Sequence, residues 1–269
     1  MSSSDPAFPL EIEEMIFSLC VQNDLKNGKN LILVAKRVYE WLKPQLYKVV
    51  ILHDESDDDS HFGRPKCNIE LLKTHGHHVR HILLWESDII SDDPRLYNPA
   101  TCLSWCPNVV NIALWRVETT YNEHLIDRLL SLPLTHLSFD VTWLDEELRR
   151  HAISKRVCFT SITHLDLNGM EITLRVEKIK EYFPSLTHIA LGEALELPAK
   201  AILDCWGDQL EVLIWYSYDD NGVSDDPRVV VISEPRQYVH DWNEAAMDGP
   251  SSVWRRAEME VKRRRGVGM

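Results

Sequence analysis

The heptapeptide Val79-Arg-His-Ile-Leu-Leu-Trp85 begins a pattern that recurs along most of the chain and decides its fold. Each copy has an apolar residue at its first, fourth and sixth positions. Further copies begin at Val109, Leu134, Ile162, Leu186 and Leu210, an earlier copy is Leu46-Tyr-Lys-Val-Val-Ile51, and Val229 to Ile232 is a degenerate last copy. Successive first positions are between 24 and 33 residues apart. A recurrence of this length is typical of repeat architectures.

Strands and helices alternate in this pattern. The apolar fourth and sixth positions alternate with variable third, fifth and seventh positions, which is the period of a strand with one buried face. Apolar residues at helical spacing between the copies predict helices at Tyr121 to Leu132 and Leu174 to Phe183, and Pro198 at its start favours a helix at Ala199 to Trp206. Strand and helix alternating at this interval predict an α/β stack with a parallel sheet.

The repeated string resembles the leucine-rich repeat, whose core is L-x-x-L-x-L, over residues 46 to 232. Repeat lengths vary, and Met170 and Ala194 stand where that family has an asparagine. The resemblance implies a degenerate leucine-rich-repeat solenoid with a curved parallel sheet, which we assign to residues 46–234. A compact α/β enzyme is the structural alternative, because short βα units also occur in other α/β folds.

The first 45 residues lack the repeat and have helical periodicity. One apolar stripe includes Ile12, Ile16 and Leu19, and a second runs from Leu31 to Leu42 beyond the polar segment Gln22 to Asn30. These stripes predict two amphipathic helices joined by a loop. About 45 residues are too few for a stable core of their own. We therefore expect this segment to pack against the repeats or against a partner.

The same segment resembles an F-box-like motif. The resemblance rests on Phe8-Pro9-Leu10, Ile12-x-x-x-Ile16-Phe17, Lys36-Arg-Val-Tyr-x-Trp41 and Pro44-x-Leu-Tyr47. With the repeats, the chain is similar to fungal F-box-like proteins that carry leucine-rich-repeat-like domains, although Phe8 replaces the leucine of their leucine-proline start. This resemblance implies a non-catalytic substrate receptor of a cullin-RING (SCF-type) ubiquitin ligase. Its helices would dock a Skp-type adaptor, and its repeats would hold an unknown target protein.

Carried over position by position, the resemblance implies a set of adaptor contacts in residues 1–45. These adaptor-binding residues are Pro9, Leu10, Ile12, Ile16, Phe17, Val34 and Val38. The alternative is that the same apolar residues only cap the end of the repeat stack, as the atypical terminal units of solenoids do. In that case the protein is a protein-binding repeat scaffold without ligase coupling.

The strand face that carries the third, fifth and seventh positions predicts a recognition surface for a second partner. The candidate partner-binding residues on it are Trp85, Trp115, His136, His164, Asp166, His188 and Tyr216. Tryptophan and tyrosine are enriched at binding hot spots. The alternative is that the aromatic members pack under loops, since tryptophan is usually well buried.

Three of these residues, His136, His164 and His188, occupy the third position of consecutive repeats. Neighbouring parallel strands lie about 4.8 Å apart, so these rings are expected to stack as a ladder. A histidine ladder can bind a metal or respond to pH, or it can consist of neutral imidazoles that share hydrogen bonds. Because no acidic residue recurs in the row to complete a metal shell, we expect neutral imidazoles and no metal or cofactor.

A second histidine cluster, His75-Gly-His-His78 with His81 beyond it, resembles the His-x-His-x-Asp-His motif of metallo-β-lactamase-type hydrolases. That motif requires Asp-His at positions 79 and 80, where this chain has Val79 and Arg80. The sequence also lacks a Gly-x-Ser-x-Gly elbow, a His-Glu-x-x-His helix and a phosphate loop. We therefore expect no enzymatic activity, and a metal-dependent hydrolase using His75 to His81 is the alternative.

Composition and charge exclude other classes of function. The 29 basic and 42 acidic residues give a net charge of −13, which argues against binding to nucleic acid. The longest apolar stretches fall far short of the roughly 20 residues that cross a bilayer, and the chain begins without a signal peptide. The six cysteines are scattered. We expect no membrane association, a cytoplasmic and/or nuclear location, and reduced thiols.

The last residues, 235–269, form a C-terminal extension in this interpretation. Val253 to Arg265 has Trp254, Ala257 and Val261 on one side, which predicts a terminal helix. Its arginine-rich end suits the negative end of a helix dipole.

Overall fold

An eight-stranded parallel sheet forms the centre of the protein. The computed structural model describes residues 8–23, 25–52, 69–85, 98–115, 124–140, 157–168, 175–192, 199–217, 224–233, 238–247, 249 and 251–266. The strands are β1 (Val49–Leu52), β2 (His81–Trp85), β3 (Asn111–Trp115), β4 (His136–Asp140), β5 (His164–Asn168), β6 (His188–Leu191), β7 (Val212–Tyr216) and β8 (Val229–Ile232). They lie side by side in chain order, with β1 and β8 at the two edges. The α/β class and the parallel sheet predicted from the repeats are confirmed.

Ten α-helices accompany the sheet in the described residues. They are α1 (Leu10–Asn23), α2 (Leu25–Leu31), α3 (Lys36–Leu46), α4 (Ile69–His75), α5 (Pro99–Ser104), α6 (Leu125–Ser131), α7 (Val176–Tyr182), α8 (Ala199–Trp206), α9 (Tyr238–Ala246) and α10 (Val253–Arg264). The helices predicted between repeats are confirmed at α6, α7 and α8, and the predicted terminal helix is α10.

One sheet face, which we call the inner face, carries the fourth and sixth positions of the repeats. These side chains and the first-position residues form one buried cluster with α4 to α8. Leu165 and Leu167 of β5, for example, pack with Ile162 and with Ile179 of α7. The predicted burial of the first, fourth and sixth positions is therefore confirmed for the copies that begin at Val79 to Leu210, except that Trp215 is half-buried. This cluster is the main core of the molecule.

The third positions of β2 to β7 form one continuous row across the sheet. His136 pairs with His164, and His164 pairs with His188. Each strand starts in the same way: the amides of Thr163 and His164 both donate to the carbonyl of Thr135, at 2.9 and 3.1 Å. This shared carbonyl fixes the register between neighbouring repeats, and the register agrees with the alignment of the heptapeptides.

The register of the first repeat differs from the predicted one by one residue. Val49 pairs with the third-position residue His81, so Val50 and Leu52 face the inner core, and Val49 and Ile51 face the other side. The sequence Val49-Val-Ile-Leu52 is apolar at every position, so it lacks the alternation that would distinguish the two faces.

The opposite sheet face, which we call the outer face, is covered by the C-terminal helices. Trp242 and Ala246 of α9 pack on Leu83 and Trp115. Val253, Ala257 and Val261 of α10 pack on Ala190, Val212, Ile214 and Tyr216. The expectation that this face is an open recognition surface is wrong where α9 and α10 lie. The apolar residues at its fifth positions, Leu83, Ala113, Ala190 and Ile214, are a sequence signal of that cover.

The N-terminal segment contains three helices rather than the predicted two. A helix, α2, occupies most of the polar stretch that was expected to be a loop, and Leu33 and Val34 lie in the turn before α3. Val21, Val38, Leu42 and Leu46 form a small core between these helices. Arg37 donates from Nε and Nη2 to the same oxygen of Glu13, Oε2, at 3.2 and 3.0 Å, and this ion pair joins α3 to α1.

The described cysteines are all free. Cys102 and Cys106 lie in the inner core, and burial raises the pKa of their thiols to about 11 and about 12. They pack there as small, uncharged side chains, as the sequence predicted. Among the helices described, none has the length and apolar character needed to cross a bilayer.

Candidate functional site

The predicted adaptor-binding residues divide into an exposed group and a buried one. Leu10, Ile12 and Ile16 of α1 and Val34 in the turn before α3 are exposed, and Phe17 is half-buried against Trp41. Pro9 is exposed at the start of α1, where its carbonyl accepts from the amide of Ile12 at 2.9 Å. Val38 is different, because only 1% of it is exposed and it packs in the small N-terminal core.

The exposed apolar surface of this segment is larger than the predicted set. Its members are Phe8, Leu10, Ile12, Met15, Ile16, Leu19, Leu33 and Val34. Leu33 is 81% exposed and Val34 is 63% exposed, although both are large apolar side chains. We call these eight residues the N-terminal apolar patch. Soluble proteins rarely expose so many large apolar side chains in one short segment unless the surface binds a partner.

The predicted partner-binding residues all lie on the outer face, but α9 and α10 cover several of them. Trp115, His188 and Tyr216 are buried, and Trp85, His136, His164 and Asp166 are half-buried. The buried members cannot contact a partner while α9 and α10 are in place. A role in partner binding stays a prediction for the half-buried members.

The histidine ladder predicted from the sequence is present. The ring centroids of His136 and His164 are 4.0 Å apart at an interplanar angle of 20°, and those of His164 and His188 are 4.1 Å apart at 13°. Trp254 of α10 meets His164 and His188 edge-on at 5.2 and 5.9 Å. The ladder therefore lies between the sheet and α10, largely removed from water.

Threonine hydroxyls hold the Nδ1 side of each ring. Thr135, Thr163 and Thr187 place Oγ1 at 2.9, 2.9 and 2.7 Å from Nδ1 of the following histidine. The same hydroxyls lie 3.2 to 3.4 Å from backbone carbonyls of the preceding repeat, which can only accept. We assign the protons so that each hydroxyl donates to its carbonyl and each Nδ1–H donates to its hydroxyl, because this arrangement leaves no buried donor unpaired. The lone pair of Nε2 then points away from the sheet.

Burial keeps the three rings neutral at pH 7. Desolvation lowers the pKa of His136 and of His188 to about 4, and it lowers the pKa of His164 to about 2 with a further contribution from the neighbouring rings. For His188 desolvation by burial is the cause of the lowered pKa, although Oε1 of Glu258 is only 3.6 Å from its Nε2. The burial of the rings therefore supports the neutral protonation state that the sequence predicted.

A polar cluster lies beside the ladder on β3 to β5. Trp115 donates from Nε1 to Ser138 Oγ at 2.9 Å, and Ser138 donates to Asp166 Oδ2 at 2.8 Å. Asn168 donates to the same serine oxygen at 3.3 Å. Ser138 donates to a carboxylate rather than to an imidazole, so within the part of the chain that the structure describes it lacks the hydrogen bond to a histidine base that activates a serine nucleophile.

A small cavity separates the apolar contacts of α9 from those of α10. It is lined by residues that include Asn111, His136, His164, Asp166, Trp242 and Trp254. Its volume of about 20 Å³ is enough for a single water molecule. A side chain of a target protein therefore does not fit there.

One residue beside the ladder was missed by the sequence analysis. Glu258 of α10 brings a carboxylate to His164 and His188, and the three potential ligand atoms all lie within 4.8 Å of one another. Glu258 is far from the histidines in the chain, and no local pattern marks it. The absence of an acidic residue in the repeat row was therefore not an argument against a metal site.

The other histidine cluster, between His75 and His81, is spread over three elements. His75 ends α4 and stacks on Tyr47 with ring centroids 4.3 Å apart, and His77 and His78 lie in a 3-10 turn, Gly76–His78. His81 is on β2. Within the described residues, the group of three ligand atoms that comes together is the one at Glu258, not this cluster.

Comparison of the chain with models of protein families, with curated proteins and with solved structures found no match.

Proposed function

We propose that the protein is a non-catalytic substrate receptor of a cullin-RING ubiquitin ligase, in which the N-terminal helices dock a Skp-type adaptor. The observation that carries this proposal is the N-terminal apolar patch. Six of its eight members are at least half exposed, namely Phe8, Leu10, Met15, Leu19, Leu33 and Val34. Exposed apolar area of this kind is stabilised when a partner removes it from water.

The burial pattern favours docking over simple capping of the repeat stack. A cap buries its apolar stripe against the adjacent repeat, whereas the patch residues remain exposed while the repeats are in place. The core of the N-terminal helices is formed by a different set of residues, which includes Val38 and Leu42. The patch residues do not belong to this core, and their exposure supports a role in partner binding.

In this proposal the chain acts by proximity. The adaptor side brings the ubiquitin-loaded enzyme near, and the repeat domain holds the target. The effective concentration of the enzyme at the target is thereby raised, and no residue of this chain takes part in the reaction. Because α9 and α10 cover much of the outer face, the target would be held by the residues of that face that stay half-buried, such as Trp85, or by another surface of the repeat domain.

A binding assay with a purified Skp-type adaptor tests the proposal. We expect the wild-type chain to form a stoichiometric complex and the double variant Leu10→Asp, Ile16→Asp to bind at least about tenfold more weakly, since charges in an apolar interface are costly. Met259→Asp is the matched control, because Met259 is 55% exposed on α10, in a different part of the chain.

Circular dichroism of each variant shows whether its fold is retained. If the wild type does not bind the adaptor, the ligase proposal is wrong and a repeat scaffold without ligase coupling takes its place. If the double variant binds as well as the wild type, the patch is not the docking surface.

A further inference from the structure

We propose that His164, His188 and Glu258 form a binding site for a divalent transition-metal ion, for which Zn²⁺ fits the donor set best. Two imidazole nitrogens and one carboxylate oxygen are a common ligand set for zinc sites that keep a position open for water. The site is independent of the proposed adaptor docking, because its residues lie on β5, β6 and α10.

The first support for the site is the convergence of the three side chains. Each offers one ligand atom, and these atoms all lie within 4.8 Å of one another. Nε2 of His188 and Oε1 of Glu258 are 3.6 Å apart, which is close to the separation of about 3.3 Å between two ligands of a tetrahedral zinc ion with bonds of about 2.0 Å. Lys262 lies 3.9 Å from the other carboxylate oxygen, Oε2, so Oε1 faces the histidines.

The second support is a buried atom that lacks a partner. His188 has a side chain only 7% exposed, and its Nε2 has no hydrogen-bond partner among the described residues. A buried polar atom without a partner costs free energy. A metal ion would use this lone pair, which already points away from the sheet toward α10.

The third support is the way in which the rings are held. Thr163 and Thr187 bind Nδ1 of the two ligand histidines at 2.9 and 2.7 Å. Metal-bound histidines are usually oriented through such a hydrogen bond on the second ring nitrogen, which also fixes the tautomer that leaves Nε2 free. The recurring Thr-His dipeptide of the repeats thus supplies both the ligand and the group that orients it.

Binding requires a small change in the ladder. The rings of His164 and His188 are stacked at an interplanar angle of 13°, so their Nε2 lone pairs run side by side. The rings must tilt toward each other before one ion can bind both. The adjacent cavity, lined by His164 and Trp254, has the volume for a water molecule as a further ligand. Since the ligands come from the sheet and from α10, the ion would fasten α10 to the centre of the outer face.

Zinc binding to the full chain tests the proposal, after removal of any affinity tag and of prior metal with a chelator. We expect equilibrium dialysis and elemental analysis to give one Zn²⁺ per wild-type chain. Glu258→Gln should bind Zn²⁺ at least about tenfold more weakly. Loss of a residue that only orients a metal ligand already weakens metal binding by about that factor, and Glu258 would be a ligand itself. Glu260→Gln, on the same helix, is the matched control and should bind as the wild type does.

Two further measurements on the wild type test the proposal even if a variant fails to fold. Zn²⁺ should raise the melting temperature of the wild type and of Glu260→Gln, and the chelator should reverse the rise. Co²⁺ bound to the wild type should show the absorption of a nitrogen and oxygen site without thiolate bands. The proposal is overturned if the wild type binds no zinc or shows thiolate bands, or if Glu258→Gln binds normally while His77→Ala loses the ion.

Discussion

At the scale of single residues, the recurring Thr-His dipeptide has two structural roles. The threonine amide and the histidine amide share one carbonyl of the preceding strand, and the threonine hydroxyl holds the ring. One dipeptide therefore sets the strand register and the ring orientation together. Duplication of the repeat stacks the rings at the strand spacing, as at His164 and His188.

The buried ladder predicts that the protein loses stability in mild acid. The pKa of each ring is lowered from 6.5, to about 4 for His136 and His188 and to about 2 for His164. The unfolded chain therefore binds more protons than the folded chain below about pH 6.5. The contribution of the neutral rings to the free energy of unfolding is therefore fully present above that pH. It falls as the pH drops toward 4, by roughly 1 kcal/mol per pH unit for each ring.

Urea unfolding between about pH 7 and about pH 5, with a chelator present, measures this slope. His136→Asn removes one of the three titrating rings and should remove about a third of the ladder's contribution to the slope. Asp166 and Asp241 line the cavity beside His136 and His164, and Oε1 of Glu258 is 3.6 Å from Nε2 of His188, so attraction of protons by these carboxylates would reduce the slope. A slope that is flat in this range, or unchanged by His136→Asn, would show that the rings are not buried as neutral groups.

At the scale of elements, the junction between α4 and β2 depends on a close approach of two backbones. Gly76 begins the 3-10 turn after α4, and a Cβ atom at this position would collide with the backbone carbonyl of Trp105 and lie 3.1 Å from Cys106 Sγ. Asn108 donates from its side chain to the carbonyl of His77 at 2.7 Å in the same contact. Two consecutive repeats are thus joined at a point where no side chain fits.

Gly76→Ala should therefore destabilise the protein more than a comparable change elsewhere. We expect a loss of about 1–3 kcal/mol or more in the free energy of unfolding, because the backbone must move to remove the overlap. Gly207→Ala is the matched control: Gly207 has a φ of +57° but open space around it, so only the conformational cost of about 1 kcal/mol applies. Chemical denaturation compares the two, and equal losses would mean that the close approach is not tight.

Local pattern predicted the elements that alternate and failed for those that do not. Leu137 and Phe139 alternate with polar neighbours, so β4 and its inner face were predicted correctly. β1 is apolar at every position, and its predicted register was wrong by one residue. Helix α2 has no apolar stripe, and it packs instead through Gly28, where an added Cβ would meet Leu46. In both failures tertiary contacts decide what the local sequence leaves open.

At the scale of the whole molecule, the C-terminal extension completes the fold. Without α9 and α10, the outer face would expose Leu83, Ile214 and Tyr216, which are now 0 to 2% exposed. Trp242 donates to Asn111 at 3.3 Å, and Arg264 donates to the carbonyl of Val229 at 2.7 Å, so polar contacts reinforce the cover at both ends. The sequence predicted the terminal helix but not its location, because its partners on the sheet lie far away in the chain.

Displacing α10 should therefore expose the sheet and weaken the entire domain. Ala257 is fully buried between α10 and the outer face, so Ala257→Glu places a charge among Val212, Ile214 and Tyr216. We expect a lower melting temperature, by several degrees or more, and faster proteolytic cleavage within residues 238–266. Arg256→Glu changes an exposed neighbour on the same helix and serves as the control. If the melting temperatures of both variants are close to that of the wild type, α10 does not stabilise the sheet. The outer face would then be accessible, and the recognition surface predicted from the repeats would lie on it.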